Sequence, residues 1–189
     1  MRNMESYRNC VNKKTLIAGD VGTGKTRLTI SLLRQAIYAG HSKKITILDL
    51  APKATEVSGI KIGGRIGDFM RIPKSLRYLA PAEIVAPRLS ARGPEHLLEL
   101  VELNYRKAKP LMDLVSAAPT PVLFVNDISI YVQSGRFEPM GNILRASQTF
   151  VANGYSGTGL ASDYGTGVTA VETALMEKLA SMMDRVIRL

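Results

Sequence analysis

The chain has 189 residues, enough for one domain with a full hydrophobic core. Hydrophobic residues make up 46% and charged residues 22%, and no apolar run approaches a membrane span or the core of a signal peptide. The net charge of +9 favours anionic partners, while the single cysteine, Cys10, rules out an intrachain disulfide and fits a reducing cytoplasm, so a cytoplasmic location is expected.

Residues 1–13 read as a loose, basic lead-in. TLIA (Thr15 to Ala18) predicts a short apolar strand. GDVGTGKT follows from Gly19 to Thr26 and fits the pattern G-x-x-x-x-G-K-[ST] at every fixed position. Its glycines let the backbone turn tightly and bring N–H groups up to phosphate oxygens. Lys25 can reach the β- and γ-phosphates, and Thr26 offers a hydroxyl to Mg²⁺. The expected nucleotide contacts are Gly19, Asp20, Val21, Gly22, Thr23, Gly24, Lys25, Thr26 and Arg27. Residues 25–39 predict an amphipathic helix, with Leu28, Leu32, Leu33, Ala36 and Ile37 at 3–4 residue spacing. Its N-terminal dipole would face the phosphates, and Gly40 stops it.

KITILDL (Lys44 to Leu50) predicts a second buried strand carrying Asp49 at its end. Residues 51–75 hold Pro52, Gly59, Gly63, Gly64 and Pro73 and read as a long surface loop. LRYLA and EIVA (Leu76 to Ala80, Glu83 to Ala86) read as irregular or edge strands beside Pro81 and Pro87. Pro94 opens a long helix with Leu97, Leu98, Val101, Leu103, Tyr105 and Ala108 along it, which Pro110 should end or kink before Leu111 to Ala117 continue. PVLFVND (Pro121 to Asp127) is a third core strand, followed by a helix around 139–147 and a strand near Thr149 to Asn153. Residues 154–167, rich in glycine and hydroxyls, serve either as a lid over bound nucleotide or as a connector. Thr169 and Glu172 read as the capping box of a last helix, with Val171, Leu175, Leu179 and Met182 as its buried stripe. DRVIRL (Asp184 to Leu189) closes as a strand. Strands alternating with helices predict an α/β fold with a mainly parallel sheet and no internal repeat.

Two strand-ending acids could carry chemistry. Asp127 after VLFVN would hold Mg²⁺ opposite Thr26, directly or through a water. The alternative is a turn or capping aspartate. Asp49 would bind metal, orient water or accept a proton, or else anchor a loop. With Lys25 these are the candidate catalytic residues. Between Lys43 and Arg92 lie ten basic and four acidic residues. That stretch suits an anionic small-molecule substrate or nucleic acid, or forms a solvated surface. Arg65, Arg71, Arg88, Arg92 and Arg136 are candidates for stabilising transition-state charge.

At GDVGTGKT and VLFVND the chain resembles the P-loop NTPase superfamily. Two branches are similar: the MinD/ParA-like and dethiobiotin-synthetase-like branch, through ILDLAP, and the cob(I)alamin adenosyltransferase group, through the order of its elements. Asp20 stands where deviant members of the first branch carry a lysine. Asp127-Ile128 stands where the second has Asp-Glu. Asn153 is followed by Gly-Tyr rather than by the Asn-Lys-x-Asp guanine-reading motif of related GTPases. The resemblance implies a single three-layer α/β P-loop NTPase domain over residues 1–189, with a basic, loop-rich insertion around 51–92. It implies Mg²⁺-dependent binding of ATP, or of GTP, and a homo-oligomer is compatible with it. Three activities fit: γ-phosphoryl hydrolysis, transfer to a small molecule, or a nucleotide-switched module that docks nucleic acid or protein.

Overall fold

Alternate residues of the central strands pass to opposite sides of one sheet, and that alternation builds two cores. A computed structural model describes residues 5–57, 60–62, 64–160 and 163–189. Gly59, Gly63 and Ser162, read above as loop residues, lie outside the described residues, as does the start of the lead-in. In chain order, β1 (Lys14–Gly19) runs into α1 (Lys25–Ala36) and then β2 (Ile45–Asp49). A small antiparallel pair, β3 (Thr55–Val57) and β4 (Ile60–Ile62), and one helical turn, α2 (Ile66–Phe69), lead to β5 (Arg77–Leu79). The turn α3 (Pro87–Ser90) and the long α4 (Pro94–Ala117) precede β6 (Val122–Asn126). The chain ends with α5 (Ser129–Val132), α6 (Glu138–Ala146), β7 (Thr149–Tyr155), α7 (Val168–Ser181) and β8 (Arg185–Arg188).

Six strands form one sheet in the order β5-β2-β6-β7-β1-β8, every pair parallel. The apolar runs of β1, β2, β6 and β7 are buried on both faces, as central parallel strands must be. Ile17, Ile47, Phe124 and Val151 pack with Leu32, Leu33 and Ala36 of α1 on one side. Leu16, Leu48, Leu123, Val125 and Phe150 pack on the other with α4, α6 and α7, through Met112, Ile143 and Leu179. The result is a three-layer α/β fold with an all-parallel main sheet, consistent with a P-loop NTPase-like fold. Its strand order sets the carboxyl ends of β1, β7 and β6 side by side, where open α/β sheets bind ligands.

Several local expectations change. Residues 7–10 of the lead-in form a 3-10 turn that buries Tyr7 and Cys10 against the α1-side core. Residues 51–75 hold the β3–β4 hairpin and α2, whose Ile66 is fully buried. LRYLA does supply an edge strand, β5, but EIVA forms none, because Asn104 of α4 takes up both backbone groups of Val85. Helix α4 continues through Pro110 rather than ending there. Helix α7 begins at Val168, one residue before the expected capping threonine, and the Thr169 N–H is taken by the Asp163 carboxylate at 2.9 Å. Its inward residues are Val168, Glu172, Met176 and Leu179, whereas Val171 is exposed. Of the expected stripe, Leu179 is fully buried and Leu175 and Met182 pack against the core, while Glu172 turns inward to pair with Arg88.

Candidate functional site

The loop between β1 and α1 adopts the backbone its glycines permit. Gly22 and Gly24 have φ of 76° and 94°, a left-handed conformation that a side chain would strain, and Gly24 is the N-cap of α1. The Thr23 hydroxyl closes the turn by donating to the Asp20 carbonyl at 2.9 Å. Lys25 Nζ folds back over the loop and donates to the carbonyls of Gly19 and Asp20 at 2.9 and 2.5 Å. Burial pulls its ammonium pKa down, and the carboxylates of Asp127 and Asp20 oppose that shift.

Asp20 latches this loop to the next glycine-rich one. Its carboxylate accepts from Val21 N at 2.6 Å, and from the N–H groups of Thr158 and Gly159 at 3.2 and 3.0 Å. These donors, Val21 foremost, hold its pKa below the usual carboxylate range. A Cβ on Gly157 would stand 2.5 Å from the Asp20 carboxyl carbon, so the latch requires glycine there.

The two strand-ending acids part company. Asp49 is fully buried, and its oxygens accept from Asn126 Nδ2 at 2.7 Å, Ile66 N at 2.7 Å and the Tyr78 hydroxyl at 2.8 Å. Burial nevertheless pushes its carboxyl pKa up. Asn126, the last residue of β6, reaches Thr26: its Oδ1 accepts from the Thr26 hydroxyl at 3.4 Å and from Asn153 Nδ2 at 2.8 Å. Asn153 Nδ2 also donates to Thr29 at 2.8 Å, and Asn153 Oδ1 accepts from Asp127 N at 3.0 Å. This buried amide network seats the loop on the ends of β6 and β7. Asp127 leaves the strand at a φ of 58°, which turns it off the strand axis, and its carboxylate accepts from the Ser129 hydroxyl at 2.6 Å. Burial raises the Asp127 pKa, while Ser129, Lys25 and Arg88 act against that.

Lys25, Thr26 and Asp127 line one cavity of about 110 Å³, together with Val21 and Gly22 of the loop. Asp49 and the exposed Arg27 are not among its lining residues. Arg88, Gln133 and Glu172 line the same cavity. Of the five candidate arginines, Arg88 alone lines it. Arg65 is spent on the carbonyls of Ala51 and Pro81, and Arg136 on Glu102 and the Tyr105 ring. Arg88 is 5% exposed, pairs with Glu172, donates to the Thr169 hydroxyl at 3.3 Å and lies 5.0 Å over the Tyr155 ring. Burial pushes the Glu172 carboxyl up to about 7, against the pull of Arg88.

Asn126 carries no signal in the sequence, and Asn153 stands out there only as the strand-end residue before Gly-Tyr, although each sits at or near a strand's carboxyl end. Glu172 was visible only as a helix-start residue, and Gln133 carried no signal at all. A repeat also went unseen. D-x-G-T-G-x-T occurs at Asp20–Thr26 and again at Asp163–Thr169, each time opening a long helix. In the second copy Thr166 donates to the Asp163 carbonyl at 2.8 Å, matching Thr23, and Gly165 and Gly167 have φ of 73° and 81°. Val168 replaces the lysine, and the Asp163 carboxylate accepts from the loop's own Gly165 and Thr169 amides.

Among the described residues, no group of three or more His, Cys, Asp or Glu converges to hold a metal ion, and no helix is long and apolar enough to cross a membrane. No family model matches the sequence, and no curated protein matches it. Among solved structures the chain is similar to the Pif1 helicase from Candida albicans, at 17% identity and a TM-score of 0.34. The alignment covers 94% of this chain and 36% of the helicase chain. A likeness of that depth bears on neither activity nor partner.

Proposed function

We propose that this chain binds a nucleoside triphosphate with Mg²⁺ at the Gly19–Thr26 loop and acts on its γ-phosphoryl group, as a Mg²⁺-dependent ATPase. The observation that carries the reading is the loop itself. Its amides stand at the N-terminus of a 12-residue helix, and Lys25 and Thr26 face a cavity that also holds Asp127 and a buried arginine. The amides of residues 20–26 cradle the phosphates, and Lys25 leaves its two carbonyl partners to neutralise their charge.

The oxygens at hand suit Mg²⁺, which keeps several waters and takes one or two protein ligands. The Thr26 hydroxyl supplies one, and the Asp127 carboxylate acts directly or through a water, with Asn126 Oδ1 behind Thr26. The chemistry that bound Mg²⁺ supplies is neutralisation of charge on the β- and γ-phosphate oxygens. Asp49 holds the framework: its donors tie β2 to Asn126, α2 and β5. ATP is favoured over GTP because Asn153 spends its amide on Thr29, Asn126 and Asp127, leaving nothing there to read a guanine.

The test is titration with ATP and GTP, with and without Mg²⁺, on the wild type and on Lys25→Ala. The variant is expected to keep its melting temperature and to lose turnover by about 100-fold or more. Wild-type turnover in Lys25→Ala would remove the loop from the chemistry.

A further inference from the structure

Two residues lining this cavity carry a buried side-chain atom with no hydrogen-bond partner among the described residues: Arg88 at Nε and Gln133 at Oε1. Both side chains are only 5% exposed. Buried polar atoms are ordinarily satisfied, so an orphan donor and an orphan acceptor on residues lining one cavity point to a ligand. Glu172 bridges the two side chains. One of its oxygens pairs with Arg88 Nη2, and the other accepts from Gln133 Nε2 at 3.0 Å. Tyr155 beneath the guanidinium and the Thr169 hydroxyl hold Arg88 in place, and Glu172 holds Gln133.

The chemistry of the pair narrows its ligand. Arg88 Nη2 already pairs with Glu172 and Nη1 with the Thr169 hydroxyl, which leaves Nε as the guanidinium nitrogen without a partner. Gln133 offers a neutral oxygen that would repel a phosphate oxygen. Lys25 and Asp127 balance each other across the cavity, so a bound Mg·nucleotide makes the site anionic and disfavours a second anion. A hydroxyl answers both orphans at once. Its oxygen accepts from Arg88 Nε, its proton points at Gln133 Oε1, and one lone pair remains. The cavity, at about 110 Å³, admits water or a small alcohol.

We propose that Arg88 and Gln133 hold the hydroxyl nucleophile of the phosphoryl reaction, with Glu172 as the residue that positions them. This inference rests on the nucleotide reading of the Gly19–Thr26 loop. The hydroxyl oxygen forms the new bond to the γ-phosphorus. The bond from that phosphorus to the bridging oxygen breaks, and the nucleoside diphosphate leaves with the electron pair. The hydroxyl proton passes to a non-bridging oxygen of the transferred phosphoryl group. Gln133 orients the nucleophile and is not itself protonated.

The experiment measures Mg·ATP affinity and turnover separately in the wild type, Gln133→Met and Arg88→Lys, with glycerol as the probe alcohol. Gln133→Met keeps the side-chain volume and removes the acceptor. Arg88→Lys keeps the charge for Glu172 and removes Nε. Both variants are expected to bind nucleotide within about twofold of wild type while turnover falls about 10- to 100-fold. Inorganic phosphate as the sole product identifies water as the nucleophile; glycerol phosphate identifies an alcohol. Either supports the inference when the two variants suppress it. Unimpaired turnover in both variants overturns the inference and leaves the nucleotide reading intact. A wild type that binds nucleotide yet forms neither product overturns the inference and the ATPase reading together, and leaves only the nucleotide site. A wild type that binds no nucleotide at millimolar Mg·ATP or Mg·GTP overturns the nucleotide reading, and this inference with it.

Discussion

At the scale of the residue, the two strand-ending acids separate stability from activity. Asp49 accepts from an amide, a backbone N–H and a phenol inside the core. In Asp49→Asn one acceptor oxygen becomes an NH₂, which must face a donor whichever way the amide is turned. Leaving buried donors unpaired costs about 1–3 kcal/mol each. Asp49→Asn is therefore expected to unfold at markedly lower denaturant, whereas Asp127→Asn, whose carboxylate has the Ser129 hydroxyl as its side-chain partner, is expected to unfold near wild type. Mg²⁺-dependent turnover should show the opposite ranking, with Asp127→Asn down tenfold or more and the surviving folded Asp49→Asn close to normal. Equal stability of the two variants would return Asp49 to the list of candidate catalysts. The sequence marks both acids in the same way, since each ends an apolar strand. What separates them are partners 17 to 77 residues away, and no local pattern encodes those.

At the scale of the element, the repeated D-x-G-T-G-x-T turn shows how one backbone design yields an open site and a closed one. Both copies start a helix through a left-handed glycine, and both are pinned by a threonine hydroxyl on the first carbonyl. They differ in where the aspartate goes. Asp20 reaches outward to Thr158 and Gly159, whereas Asp163 curls over its own loop and takes the place an anion would fill. With valine in the lysine position as well, the second turn caps α7 and should bind no phosphate. Asp163→Ala is thus expected to cost about 1 kcal/mol of stability, as loss of a helix-capping acceptor does, with the nucleotide stoichiometry still one per chain. Calorimetric titration giving two sites in either protein would contradict this. The first turn was legible because its lysine completes a known pattern. The second was hidden because it lacks that residue, and its carboxylate's path depends on folding.

At the scale of the molecule, the strand runs were readable because burial on both faces demands unbroken apolar residues, and β1, β2, β6 and β7 supply them. The order of strands was not readable, since β1 pairs with β7 and β8 from the far end of the chain. That order gathers carboxylates behind and beside the loop, and Asp49 and Glu172 among them are buried. Burial raises the pKa of both Glu172, to about 7, and Asp49. A carboxyl raised on folding binds its proton more tightly in the native state, so its contribution is complete below the unfolded pKa and disappears as pH climbs through the folded one. For Glu172 that window runs from about 4.5 to about 7 and is worth at most about 3 kcal/mol. Partly exposed carboxylates that accept from backbone amides, such as Asp20 and Asp163, are shifted the other way, so their contributions are lost only at more acidic pH. Wild-type stability to denaturant is therefore expected to fall between pH 5 and pH 8. Glu172→Gln, which cannot ionise, should show a visibly flatter profile over the same interval, even though its absolute stability drops with the loss of the Arg88 pair. Parallel profiles for the two proteins would mean that Glu172 is already ionised at pH 5, and that Arg88 outweighs burial in setting its charge.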